Sequence, residues 1–223
     1  CTSGTKECPV IAYRTGNADW DMRVIHCTVN NCSTVNNNIV DNGTAQTDSA
    51  GGYTSLKLDS SGFPVIVSSR GDTTVTSLDS DLRFVHCNDV NCASESPVTL
   101  DGTGATNCAA SDTSRCDSGD VGWYNKLQLS SGNPIIAYKS RVVGDLKVIN
   151  CNDANCAGNN ESVERVDGCT GCNDEYGGDT GIQDFGGYNS FVLDSGGFPV
   201  ISYNAYDNTE RDLKLVHCGN ANC

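Results

Sequence analysis

The sequence predicts an all-β fold: a row of antiparallel sheets, each built from up to four short strands. Three observations predict it. One phrase occurs four times, as DMRVIHCTVNNC from position 21, DLRFVHCNDVNC from 81, DLKVINCNDANC from 145 and DLKLVHCGNANC from 212. A proline opens a β-branched run at Pro9, Pro64, Pro134 and Pro199, at spacings of 55, 70 and 65 residues. Between these marks lie alternating apolar and polar stretches and turn residues, with nothing of helical period.

Each full unit reads as four strands. Strand A is YTSLKLDSSG (Tyr53 to Gly62), YNKLQLSSG (Tyr124 to Gly132) or YNSFVLDSGG (Tyr188 to Gly197), whose alternation marks a half-buried strand running into a turn. Strand B follows as PVI or PII, and the Ser-Gly before it supplies a tight hairpin. Strand C is the repeated phrase. Strand D is SPVTLDG (Ser96 to Gly102), ESVERVDG (Glu161 to Gly168) or NNIVDNG (Asn37 to Gly43). Four strands per unit, joined in meander order, predict a single β-propeller-like domain over 1–223, with units of about 1–43, 44–102, 103–168 and 169–223. A sandwich has no reason to repeat in sequence, and a solenoid keeps a shorter and stricter period.

The repeat frame opens in the A–B turn of the first unit and closes after strand C of the fourth. The first and last blades are therefore expected to be incomplete. An open sheet edge is a template for pairing, so further copies of the chain, or further blades of a longer one, are the expected partners.

The chain holds 14 cysteines, an even number that falls mostly in close pairs, which predicts disulfides formed in an oxidising, extracellular setting. Cys27 with Cys32, Cys87 with Cys92, Cys151 with Cys156 and Cys218 with Cys223 are expected to bridge the C–D connections. Cys1 with Cys8, Cys108 with Cys116 and Cys169 with Cys172 are expected to staple turns and long loops. Zinc is disfavoured, because CTGC at 169–172 lacks a second ligand pair.

Lys and Arg total 14 against 28 Asp and Glu, a net charge of −14 that would repel nucleic acid phosphates and acidic headgroups. Apolar runs such as PIIAY are far short of the roughly 20 residues that cross a bilayer as a helix. No nucleic acid and no membrane span are expected.

In an antiparallel meander the B–C and D–A loops share one end of every blade, and these are the loops that vary in length and composition. Variable loops on a rigid scaffold are where function concentrates. Aromatic residues gather there: Tyr53, Tyr124 and Tyr188 start the A strands, Tyr13, Tyr138 and Tyr203 end the B strands, and Trp20 and Trp123 stand beside them. Such rings suit stacking on sugars or contact with protein, with inter-blade packing as the competing role. Asp174, Glu175 and Asp179 offer oxygens of the kind calcium takes, without a known calcium-loop pattern, so calcium is a possible cofactor. Asp21, Asp81, Asp145 and Asp212 open every strand C and are expected to cap the B–C turn. Asn31, Asn42 and Asn160 lie in Asn-x-Ser/Thr sequons, so they are candidate glycosylation sites.

The phrases LDSSGFPVIVS…SDLRFVHCNDVNC, LSSGNPIIAY…GDLKVINCNDANC and LDSGGFPVISY…RDLKLVHCGNANC resemble a repeat of large secreted microbial proteins of β-propeller type, mostly of unassigned function. The resemblance covers nearly the whole chain and implies an exported, surface-associated protein. From all of this the expected function is a non-enzymatic extracellular structural or interaction protein, on the cell surface or forming filaments through its incomplete terminal blades. The alternative is a carbohydrate-binding adhesin using the tyrosine-rich loop face. A sialidase-like glycoside hydrolase stands third, because LDSSGFP departs from the Asp-box Ser-x-Asp-x-Gly-x-Thr-Trp and no pair of catalytic carboxylates can be nominated.

Overall fold

The computed structural model describes residues 8–16, 19–44, 48–71, 79–103, 105, 119–158, 160–168, 183–207 and 210–223. Their strands form four antiparallel sheets. The first holds β1 (Val10–Arg14), β2 (Met22–Cys27) and β3 (Val35–Asp41). The second holds β4 (Ser49–Leu58), β5 (Pro64–Gly71), β6 (Ser80–His86) and β7 (Val98–Asp101). The third holds β8 (Trp123–Ser130), β9 (Asn133–Ser140), β10 (Asp145–Asn150) and β11 (Ser162–Asp167), and the last holds β12 (Gln183–Leu193), β13 (Pro199–Asp207) and β14 (Arg211–His217). Strands neighbour one another in chain order within every sheet, which is the A-B-C-D meander the repeat predicts. The first sheet consists of strands B, C and D, and the last of A, B and C. Together they make a propeller-like array in which β1 lies against β4, β4 against β8 and β8 against β12.

The apolar residues of the central strands in the second and third sheets divide between two neighbouring sheets, because successive side chains of a strand point to opposite faces. Val65, Val67, Leu82 and Phe84 face the third sheet and meet Leu127, Ile136, Tyr138 and Ile149. Ile66 and Val85 face the first sheet and meet Met22 and Val24. Leu146 and Val148 face the fourth sheet and meet Phe185, Phe191 and Ile201. The hydrophobic cores therefore lie between blades, and burying them is what stacks the sheets.

Polar contacts repeat at the same junctions. Asp101, at the end of one strand D, accepts from Tyr138 Oη at 2.6 Å and Lys147 Nζ at 2.7 Å of the next sheet. Asp167 does the same with Tyr203 and Lys214, and Asp41 pairs with Arg70 and Arg83. All four C–D bridges form as the spacing predicts: Cys27–Cys32, Cys87–Cys92, Cys151–Cys156 and Cys218–Cys223. In three of the four loops an Asx side chain closes the turn: Asp89 accepts the Asn91 amide at 2.6 Å, Asp153 the Asn155 amide at 2.7 Å and Asn220 the Asn222 amide at 2.8 Å. The asparagine before the second cysteine then reaches back to the preceding sheet. Asn91 meets His26 Nδ1 at 2.9 Å, Asn155 meets His86 Nδ1 at 3.1 Å and Asn222 meets Asn150 at 2.6 Å. His26 and His86 are thus junction residues between blades, whereas His217 pairs with Asp194 of its own sheet.

One expectation needs correcting. Asp21 and Asp81 do not cap the B–C turn; their carboxylates accept the amides of Gly43 at 3.2 Å and Thr103 at 2.7 Å, beyond the end of strand D. The start of strand C lies beside the end of strand D in an antiparallel pair, so an acidic residue there meets the amides leaving the sheet.

Candidate functional site

The tyrosines that open strand A owe their position to a repeated backbone irregularity. Gly51-Gly52-Tyr53, Gly122-Trp123-Tyr124 and Gly186-Gly187-Tyr188 each place both the first glycine and the tyrosine at positive φ, near +82° and +50° in the first case. The strand pairing slips at the same three places. The glycine is required twice over. A Cβ at Gly122 would stand 3.0 Å from Leu82 Cα, and one at Gly186 the same distance from Leu146 Cα, so the bulge is where one blade presses on the strand C before it. Backbone bonds fix that approach: Ala50 N to Trp20 O, Val121 N to Ser80 O and Phe185 N to Gly144 O, all at 2.8 Å. The side chain after each tyrosine closes the bulge onto the glycine carbonyl, through Thr54 at 2.7 Å, Asn125 at 2.9 Å and Asn189 at 3.1 Å.

A tyrosine held at positive φ is strained by about 1–3 kcal/mol, and strain of this kind clusters where a side chain must be aimed. Here it aims three rings into one row. Tyr53 and Tyr124 have centroids 4.8 Å apart, Tyr124 and Tyr188 4.6 Å, and Trp123 adjoins Tyr53 at 5.1 Å, all tilted. Tyr188 is 79% exposed and Tyr53 38%. Trp123 is fixed in orientation: its Nε1 donates to Ser80 Oγ and Asp120 Oδ1, both at 2.9 Å, and Arg141 stacks on its ring at 4.1 Å. Arg141 is itself paired to the buried Asp120 at 3.4 Å. Burial pushes the Tyr53 and Tyr124 phenols above the usual tyrosine range, and contact between the hydroxyls of Tyr124 and Tyr188 adds to the rise at Tyr124. Both phenols stay neutral at any physiological pH. The row therefore offers aromatic faces and hydroxyls, with cations at its edge: a surface suited to stacking and hydrogen bonding with a polyhydroxylated ligand.

The other aromatic candidates separate from this row. Tyr138 and Tyr203 are buried between blades, where their hydroxyls donate to Asp101 and Asp167; for these two the packing role holds in place of ligand contact. Tyr13 shares the face of β1 opposite Val10 and Ala12, which pack on the core, and its hydroxyl accepts from Asn37 Nδ2 at 3.2 Å. Trp20 lies under the guanidinium of Arg14, 5.3 Å from the ring centroid. The grouping of Arg141, Asp120 and Ser80 around Trp123 is what sequence reasoning missed. Their signal in the sequence is only that Asp120 stands two residues before a Gly-x-Tyr bulge.

Asp174, Glu175 and Asp179 lie outside the described residues, as do Cys1, Cys108, Cys116, Cys169 and Cys172. Among the described residues no group of three or more His, Cys, Asp or Glu side chains could hold a metal ion. Cys8 is disulfide-bonded. Asn31, Asn42 and Asn160 are all exposed. No helix among the described residues is long and apolar enough to cross a membrane.

No family model matches the chain, and no curated protein matches it. Among solved structures it is similar to an endo-arabinase from Bacteroides thetaiotaomicron, with 15% identity and a TM-score of 0.43 over 92% of this chain and 72% of that one. It is similar to an alpha-L-arabinofuranosidase from Lactobacillus brevis, at 11% identity and a TM-score of 0.43 over 88% and 62% of the two chains. A third is an alpha-L-arabinanase from Penicillium chrysogenum complexed with arabinobiose, at 7% identity and a TM-score of 0.38 over 75% and 49%. The chain thus spans between about half and three quarters of these proteins. Likeness at this level concerns strand architecture and transfers no residue role. It nevertheless corrects one expectation. A non-enzymatic structural or filament-forming protein was the first expectation, and the solved structures are glycosidases, so the exclusion of enzymatic activity is withdrawn.

Proposed function

We propose that the protein is an exported, carbohydrate-binding propeller whose ligand lies along Tyr53, Tyr124 and Tyr188. The observation that carries this reading is the strained Gly-x-Tyr bulge, used three times to aim neutral aromatic rings into a continuous row with an exposed end at Tyr188. Packing alone would not keep a tyrosine mostly in water. The bridged cysteine loops and the resemblance to secreted repeat proteins agree with an oxidising, extracellular setting. Because Trp123 adjoins the row, a bound glycan should change tryptophan emission. Titration against a panel of soluble polysaccharides is the test, and Tyr188→Ala should weaken any binding by roughly 10-fold while leaving the unfolding midpoint in place. The reading is sunk if no glycan alters the emission, or if Tyr188→Ala binds as the parent does.

One observation favours a second reading, cleavage of the bound glycoside. Burial pushes the Asp81 carboxyl up to about 6, against the pull of the Thr103 amide, so this group holds a proton in the range where a general acid works. It adjoins Ser80, which brackets Trp123. Turnover of aryl glycosides and arabinan, lowered on the order of 100-fold in Asp81→Asn, would support it; no turnover across the panel would end it.

A further inference from the structure

The aromatic row is electrically lopsided. At one end Arg14 is exposed, stacks on Trp20 and has no carboxylate partner among the described residues. Arg141 stacks on Trp123 nearby, and both guanidiniums draw down the Tyr53 phenol against the upward push of its burial, which places both charges within electrostatic reach of that hydroxyl. At the other end no cation stacks on Tyr188 among the described residues, and Arg211 of the same sheet lies over Tyr206 instead. Most other cations at the blade junctions are neutralised: Arg70 by Asp41 and Asp48, Lys139 by Asp184, Lys147 by Asp101. In a chain of net charge −14, Arg14 is a guanidinium beside an aromatic platform with no carboxylate on it among the described residues.

Building on the carbohydrate reading above, we infer that the ligand is an acidic glycan, bearing a sugar carboxylate that docks on Arg14 at the Trp20–Tyr53 end while neutral ring faces lie toward Tyr188. The guanidinium fork matches a carboxylate bidentately, and its stacking on Trp20 holds the fork in one plane before the ligand arrives. The acidic surface elsewhere does not prevent this. At physiological ionic strength charges beyond about 8 Å are screened, whereas the docked carboxylate would touch Arg14 directly.

The experiment is equilibrium binding to the intact protein at about 0.15 M salt, read by tryptophan emission and by calorimetry. The probes are oligogalacturonate, its methyl ester and neutral galactan of matched length. Oligogalacturonate should bind roughly 10-fold tighter than its ester. Arg14→Gln should erase that preference, and Arg14→Lys should restore part of it. Tyr188→Ala should weaken acid and ester alike. If ester and acid bind equally, or Arg14→Gln leaves the preference intact, the inference is overturned while the carbohydrate reading stands. Preference for sulfated galactan over oligogalacturonate would also overturn the carboxylate assignment. If none of the glycans binds, the carbohydrate reading itself fails and the inference falls with it.

Discussion

The third and fourth sheets carry almost the same strand C, DLKVIN and DLKLVH, and bury it to opposite extents. Leu146 and Val148 are wholly buried, whereas Leu213 and Leu215 are 84% and 70% exposed. The lysine between them follows suit: Lys147 is sealed against Asp101, while Lys214 reaches Asp167 from a partly exposed position. One sequence pattern therefore has two fates. The phrase is the surface on which the next blade is laid, with Gly186 of the fourth sheet resting on Leu146. Its apolar residues describe a neighbour, and strand pairing within their own sheet does not depend on burying them.

The largest test of that contrast is electrostatic. Lys147→Met strips the buried Asp101 of its cation and should cost about 3–5 kcal/mol, whereas Lys214→Met should cost below about 1 kcal/mol. Urea unfolding of the two variants measures this. Equal losses would mean that the two sheets depend on their lysines alike, and the contrast would be wrong.

Leucine truncation comes next. Leu146→Ala opens a cavity in the core shared with Phe185 and Ile201 and should cost about 3 kcal/mol. Leu213→Ala should stay within about 0.5 kcal/mol. A destabilisation at Leu213 comparable to that at Leu146 would show that the exposed face is covered in solution.

The smallest expected effect depends on pH. The folded Asp81 carboxyl titrates near 6 against an ordinary 3.8, so between these values the folded protein holds a proton that the unfolded chain releases. Its contribution to stability is present below about pH 4 and is lost as pH rises through 6. Asp81→Asn should accordingly raise the melting temperature above pH 6, with no gain left at pH 4. Asp212→Asn, at the matching but exposed position of the fourth sheet, should do little at either pH. A gain at Asp81 that persists at pH 4 would point to packing and away from the proton.

The strand plan was legible because it rests on neighbours in the chain. The hairpin at Asp59 forms through amides two and four residues on, Ser61 at 2.7 Å and Phe63 at 2.8 Å, and each cysteine loop closes over five residues. The candidate site was legible only in part. Tyr53, Tyr124 and Tyr188 were named together with Tyr138 and Tyr203, since all recur once per unit. Nothing in the repeat says that a double left-handed bulge turns the first three outward while ordinary strand alternation turns the other two into a junction. The Asp21 and Asp81 carboxylates were assigned to the wrong turn for the same reason: their partners, Gly43 and Thr103, come from the far side of the sheet.

The sequence by itself determined the strand order, the meander, the hairpin turns and the C–D disulfides, all of which are decided by groups a few residues apart. Only the tertiary structure decided which of two matching apolar pairs, Leu146 with Val148 or Leu213 with Leu215, is dry, which tyrosines meet water and which carboxylates are sealed. Burial is a property of what lies across the gap between sheets, and repeated units of one sequence need not have equal neighbours.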